Sequence, residues 1–189
     1  GRTEDSNTHI LVFGEPGTGK SLVVDWAKEN FPKIIKSVGT GSTGVGLTAS
    51  VSKDEVTGKW VAEAGDLPMA DGGFHITDEA DKLSGKDLIK FNEALQDRQI
   101  HISKANISTT LNADVSEFSI ANPEGSSLFE DEELYKQIPI PDEQAELKDR
   151  YDIILATQRD RLNSRTSDRD KELHRQKAIT QIKARTHNL

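Results

Sequence analysis

Short β-branched runs and helical periodicities alternate along the chain. His9-Ile10-Leu11-Val12-Phe13-Gly14 is an apolar run ending in glycine, the pattern of a strand buried in a parallel sheet. A glycine-rich turn follows. Leu22, Val23, Trp26 and Ala27 then recur at helical spacing until Asn30-Phe31-Pro32, where the proline and the residue before it stop the helix. Lys33 to Val38 predicts a second strand, and Gly39-Thr40-Gly41-Ser42-Thr43-Gly44 a flexible connection. Thr48 to Ser52 and Lys59 to Glu63 alternate with period two around Asp54-Glu55-Val56-Thr57-Gly58, which predicts a β-hairpin.

Gly72 to Thr77 is the next expected strand, ending on Asp78-Glu79, and Leu88, Ile89, Phe91 and Leu95 define a helix from about Gly85 to Asp97. A second hairpin pairs Gln99–Ser103 with Ile107–Leu111 around Lys104-Ala105-Asn106. Glu117 to Ala121 predicts a strand that stops at Asn122-Pro123, and Tyr151 to Thr157 the last one. The acidic stretch Phe129-Glu130-Asp131-Glu132-Glu133 reads as a solvated loop or helix face. Asp168 to His187 is charged, with Leu173, Ile179 and Ile182 as its large apolar residues, and reads as a helix in need of a partner. The pattern is an α/β core interrupted by two hairpins.

A length of 189 residues suits one α/β domain, and six Phe, two Tyr and two Trp argue against disorder. No apolar run approaches the roughly 20 residues of a membrane-spanning helix, and the N-terminus has no signal-peptide pattern. The absence of cysteine removes disulfides, thiolate metal sites and cysteine nucleophiles, and suits an intracellular protein. The net charge of −8 is unevenly spread: residues 159–189 hold nine basic residues against four acidic ones, so residues 1–158 carry −13. Any nucleic-acid contact must therefore use a local basic feature and not the field of the whole chain.

Gly14-Glu15-Pro16-Gly17-Thr18-Gly19-Lys20-Ser21 satisfies G-x-x-x-x-G-K-[ST] between an expected strand and an expected helix, the context that a phosphate-binding loop requires. Its glycines let backbone N–H groups converge on phosphates at a helix N-terminus. Lys20 reaches the β- and γ-phosphates of ATP in this reading, and Ser21 ligates Mg²⁺. Asp78 and Glu79, at a strand end downstream, have the Walker B arrangement: one carboxylate for the metal and the next to polarise the attacking water. Asn122, ending the following strand, can orient the same water. By local sequence alone Lys104 is equally an ordinary solvated hairpin lysine. Arg150 reads either as a surface arginine or as a charge presented to a neighbouring subunit's phosphate. His9, His75, His101, His174 and His187 have no paired metal-ligand spacing and read as structural or solvated.

These residues resemble the minichromosome maintenance (MCM) replicative helicases of the AAA+ class. The resemblance covers most of residues 9–157 and rests on four segments in order. They are the phosphate loop; Gly41 to Ala49 running on through Asp54 to Gly65; Ala70-Asp71-Gly72-Gly73 through Asp78-Glu79-Ala80-Asp81-Lys82; and Ile100 to Ala105. The second is the most specific, because a phosphate loop alone fits many NTPases. The chain differs from common family usage at Gly19, at Ala80 and at Lys148-Asp149, where alanine, an aromatic residue and Leu-Ser are usual.

The resemblance implies an AAA+ three-layer P-loop NTPase core over residues 1–158, with a parallel sheet ordered 5-1-4-3-2, two β-hairpin inserts and an incomplete lid. Residues 159–189 become a basic linker and first helix leading to that lid. It also implies ATP and Mg²⁺ as cofactors, Asn122 as sensor 1, Arg150 as the arginine finger, and Lys104 as a DNA contact on the pre-sensor hairpin. The partners implied are single-stranded or forked DNA, other subunits of a hexameric ring and replication loader proteins, with no membrane. The place of action is the cytoplasm or nucleoid of a prokaryote or the nucleus of a eukaryote. Six hairpin lysines in one channel concentrate positive charge although each body is acidic, and they follow phosphates without reading bases. The family's N-terminal region, completed lid and winged helix have no counterpart in the chain, so the piece alone is expected to bind nucleotide poorly and not to unwind DNA. Two alternatives stand beside the helicase: a MoxR-type or chelatase-like protein remodeller, and a non-hydrolysing ring subunit that binds ATP to hold an interface.

Overall fold

In a computed structural model, which describes residues 7–123, 134–158 and 183–184, the apolar runs form the sheet that their composition predicts. Strands β1 (Ile10–Gly14), β2 (Ile34–Val38), β5 (Phe74–Asp78), β8 (Ser116–Ala121) and β9 (Ile153–Thr157) are parallel, in the order β9-β1-β8-β5-β2. In terms of the five core strands this is the expected 5-1-4-3-2. Hairpin β3 (Ala49–Lys53) and β4 (Trp60–Ala64), and hairpin β6 (Gln99–Lys104) and β7 (Ile107–Asn112), stand outside the sheet as separate antiparallel pairs.

Alternation along the strands gives the sheet two unequal faces. Leu11 and Phe13 of β1 join Leu88, Phe91 and Leu95 of helix α4 (Gly85–Asp97) in the main core. Val24 of helix α1 (Lys20–Asn30) packs with Ile76 and Ile120 on the opposite face. Helices on both faces of a parallel sheet make a three-layer α/β core of P-loop NTPase type. The contact surface of α1 differs from the expected one: Val24 is buried, whereas Leu22 and Trp26 are 71% and 57% exposed. Lys20 and Val24, one turn apart, lie against the sheet and turn the apolar positions 22, 23 and 26 outward.

Three short helices, α2 (Gly44–Leu47), α3 (Asp66–Met69) and α5 (Ala145–Arg150), have no periodicity long enough to announce them. The segment expected as a flexible connection is ordered instead. Gly41 and Ser42 donate N–H bonds to the Val38 carbonyl, and the Thr43 hydroxyl caps α2 by accepting from Gly46 N at 3.1 Å. At residues 183–184 the expected helix gives way to strand β10 (Lys183–Ala184), antiparallel to β9, which covers an otherwise open sheet edge. The remaining residues of 159–189, including His174 and His187, lie outside the described residues, as does the acidic stretch 129–133. Among the described residues, no helix is long and apolar enough to cross a membrane.

The face under α4 holds a chain of buried polar groups. Ser37 Oγ donates to Asp66 Oδ2 and meets His75 Nε2 at 2.8 Å, while His75 Nδ1 lies 2.7 Å from Glu117 Oε2. Ser119 Oγ donates to Glu117 Oε1, and Tyr151 Oη donates to Ser119 Oγ. Burial first, and the Glu117 charge second, push the Tyr151 hydroxyl pKa up, so it remains a donor. Among the described residues no buried side-chain nitrogen or oxygen lacks a partner. His75 is thus structural.

Candidate functional site

The loop Gly14–Ser21 leaves the C-terminal end of β1 and opens α1, the position where parallel α/β sheets bind their ligands. Gly19 has φ 87°, a left-handed conformation that glycine adopts without strain, and this aims the chain into the first turn of α1. Thr18 braces the loop: its hydroxyl donates to the Glu15 carbonyl at 2.9 Å and meets Thr157 Oγ1 at 2.8 Å. Glu15 N donates to the Thr157 carbonyl, which ties the loop to the neighbouring strand β9.

Lys20 is 8% exposed, and its ammonium donates to the carbonyls of Gly14 at 2.6 Å and Glu15 at 2.8 Å. The cation is folded over its own loop. Burial lowers the Lys20 pKa, opposed by Asp81, Asp78 and Glu15 in that order. A phosphate brought to this point meets a partly desolvated cation, where charge–charge attraction is stronger than in water. Ser21 is exposed in the first turn of the helix.

Asp78 ends β5 and Glu79 follows it, while Asn122 follows the end of β8. Because β1, β8 and β5 are adjacent and parallel, the loop, Asp78-Glu79 and Asn122 lie along one edge of the sheet. Asp78 Oδ1 accepts from Glu79 N at 3.0 Å, and Asp78 Oδ2 holds the Lys36 ammonium at 2.6 Å. The Asp78 carboxylate and the Ser21 hydroxyl are oxygen donors of the kind that Mg²⁺ takes alongside phosphate oxygens and water. Glu79 adopts φ 55°, left-handed for a side chain that bears a Cβ, at a cost of about 1–2 kcal/mol. Its Oε2 accepts from the Thr40 hydroxyl at 2.6 Å. Gly39 makes this approach feasible, since a Cβ there would lie 2.0 Å from the Glu79 carbonyl oxygen.

Lys36, Thr40 and Asp81 escaped the sequence reading. Asp81 Oδ1 accepts from the backbone N–H of Asn122 at 2.9 Å and so joins the turn after β5 to the end of β8. Two signals were available: Asp81 follows the acidic pair closely, and Lys36 interrupts an apolar run. Thr40 carried none.

Arg150 and Lys104 are not brought to this edge. Arg150 ends α5 just before β9, at the N-terminal end of the sheet, so the length of a strand, roughly 16 Å for five residues, separates it from the loop. Lys104 is exposed, ends β6 and pairs with Ile107; the turn itself is Ala105-Asn106, both at positive φ. Of the histidines, His9 Nδ1 accepts from Glu117 N, and His101 Nδ1 meets Thr110 Oγ1 at 2.9 Å.

Comparison with known proteins decides between the P-loop families that this edge would fit. The family model described as the MCM P-loop domain matches residues 2–178. The chain belongs to the MCM family. The Minichromosome maintenance protein MCM of Saccharolobus solfataricus is 33% identical over 165 residues, covering 87% of this chain and 23% of that protein. The DNA replication licensing factor mcm7-A of Xenopus laevis is 36% identical over 176 residues, covering 93% of the chain and 23% of the relative. DNA replication licensing factor MCM2 of Arabidopsis thaliana is 35% identical over 146 residues, covering 77% and 15%. This chain thus spans under a quarter of the length of each of these relatives.

Proposed function

We propose that this chain is the ATPase core of an MCM-type replicative helicase, which hydrolyses ATP at subunit interfaces of a ring and moves along single-stranded DNA. The observation that carries the reading is the alignment of the Lys20 loop, Asp78-Glu79 and Asn122 on the C-terminal edge of three adjacent parallel strands in an MCM P-loop domain. The loop N–H groups and the Lys20 ammonium bind the phosphates of ATP. Ser21 and Asp78 would hold Mg²⁺, which when bound would supply charge neutralisation at the phosphates. Glu79 accepts a proton from the attacking water or orients it, and Asn122 donates to the same water or to the γ-phosphate. Arg150 serves a neighbour's nucleotide, in keeping with its distance from the loop of its own chain. Lys104, exposed on hairpin β6–β7, contacts the DNA backbone.

The partners under this reading are forked DNA, further subunits of a hexameric ring and loader proteins, in the compartment where the genome is replicated. Nucleotide titration and ATP turnover test the nucleotide half. Lys20→Ala should abolish binding. Glu79→Gln should leave binding in place and lower turnover by about a hundredfold or more. Unaltered binding by the first variant, or unaltered turnover by the second, would contradict the assignment.

A further inference from the structure

The Arg150 guanidinium is tethered by two neutral amides on one face of α4. Its Nε donates to Asn92 Oδ1 at 2.6 Å and its Nη2 to Gln96 Oε1 at 2.5 Å. Asn92 and Gln96 stand four residues apart, so they are neighbours on the helix surface, and Asn92 is buried at 7% exposure. Among the described residues no carboxylate pairs with Arg150. Asp149, its neighbour in sequence, accepts instead from the Tyr135 hydroxyl at 3.4 Å.

An arginine on a protein surface finds a carboxylate readily, since its planar fork matches one in a bidentate pair. Such a pair fixes the guanidinium but cancels its charge. Amide oxygens also fix it, through weaker bonds, and leave the charge whole. A guanidinium has five N–H donors, and the two amides take one from Nε and one from Nη2. Three remain for an anion approaching from outside the chain.

We propose that Asn92 and Gln96 are positioning residues that pre-orient Arg150 for the phosphate of a neighbouring subunit's nucleotide while preserving its full positive charge. This rests on the reading of Arg150 as the residue that completes a neighbour's site. The tether lowers the entropy lost when the side chain meets the phosphate, and neutral acceptors add no negative charge beside it. In this role an amide at position 96 is the required chemistry and a carboxylate is harmful, although the carboxylate makes the stronger hydrogen bond to arginine.

The test uses the assembled full-length protein that carries this chain and compares kcat and KM for ATP hydrolysis in Arg150→Ala, Gln96→Ala, Gln96→Glu and wild type, with melting temperature as a control. Gln96 is exposed, so neither substitution at this position endangers the fold. The proposal expects Gln96→Glu to keep the melting temperature within about two degrees of wild type or to raise it, yet to lower kcat about tenfold or more. Gln96→Ala, which loses one tether and keeps the charge, should lose less. If Arg150→Ala lowers kcat strongly while Gln96→Glu turns over like wild type, the positioning role is overturned and the reading of Arg150 survives. If Arg150→Ala itself turns over like wild type, that reading fails and the proposal with it.

Discussion

The Glu79 carboxylate accepts a hydrogen bond from the Thr40 hydroxyl at 2.6 Å, and Gly39 beside that threonine donates its N–H to the Asp78 carbonyl at 2.7 Å. The turn after β2 therefore positions the acidic pair after β5. Gly39→Ala would drive a Cβ into the Glu79 backbone, and a carboxylate displaced by about an ångström loses on the order of a hundredfold in rate. Turnover should fall much more than nucleotide affinity, because the Lys20 loop follows β1, three strands from β2. Parallel measurement of kcat and nucleotide Kd checks this; equal loss of both would point to general unfolding.

Lys20 titrates below its ordinary value because it is buried. Bound phosphate favours the charged form and raises that pKa again, so nucleotide binding at alkaline pH takes up a proton. Affinity should therefore weaken as pH climbs through the lowered pKa of the free protein, before reaching 10.5, the value of an ordinary lysine. Titrations from pH 7 upward, with proton uptake read by calorimetry in two buffers, check the sign.

Burial holds the His9 pKa below its usual 6.5, against the pull of Glu117 and Asp152. Its Nδ1 accepts from the Glu117 N–H at 3.2 Å, which requires an unprotonated nitrogen. The unfolded chain binds the proton more tightly, so the stability that His9 contributes is whole above pH 6.5 and is lost as pH falls through the lower folded value. His9→Asn should flatten that part of the stability–pH curve in urea melts.

Glu117 is 1% exposed and serves both His75 and Ser119. Glu117→Ala leaves two buried polar groups without their partner and should cost about 3 kcal/mol or more of unfolding free energy. Equilibrium denaturation gives the value, and a loss under about 1 kcal/mol would show that water or a neighbour replaces the carboxylate.

The parts legible in the sequence are those where local pattern and tertiary environment agree. The period of Leu88, Phe91 and Leu95 marks α4 because that face is the one buried, and Ala105-Asn106 supplies the positive-φ turn of β6–β7. On α1 the two agree only at Ala27: Leu22 and Trp26 satisfy a helical period but face outward, and only the sheet determines that Val24 is the buried contact beside Ala27. Lys36 with Asp78, Thr40 with Glu79 and Asp81 with Asn122 join residues 39 to 42 apart, and exist only once β2, β5 and β8 are side by side. The bonds of Arg150 to Asn92 and Gln96 likewise join residues more than fifty positions apart, which no local pattern announces.

The central claim is that the nucleotide chemistry of this domain drives movement on DNA, and its most direct test is ATP turnover with and without single-stranded DNA, in wild type and in Lys104→Ala. The measurement uses the assembled full-length protein. The account predicts that DNA raises turnover in the wild type and that Lys104→Ala loses most of that rise. Turnover indifferent to DNA in both proteins would contradict it, leaving an ATPase without the proposed substrate.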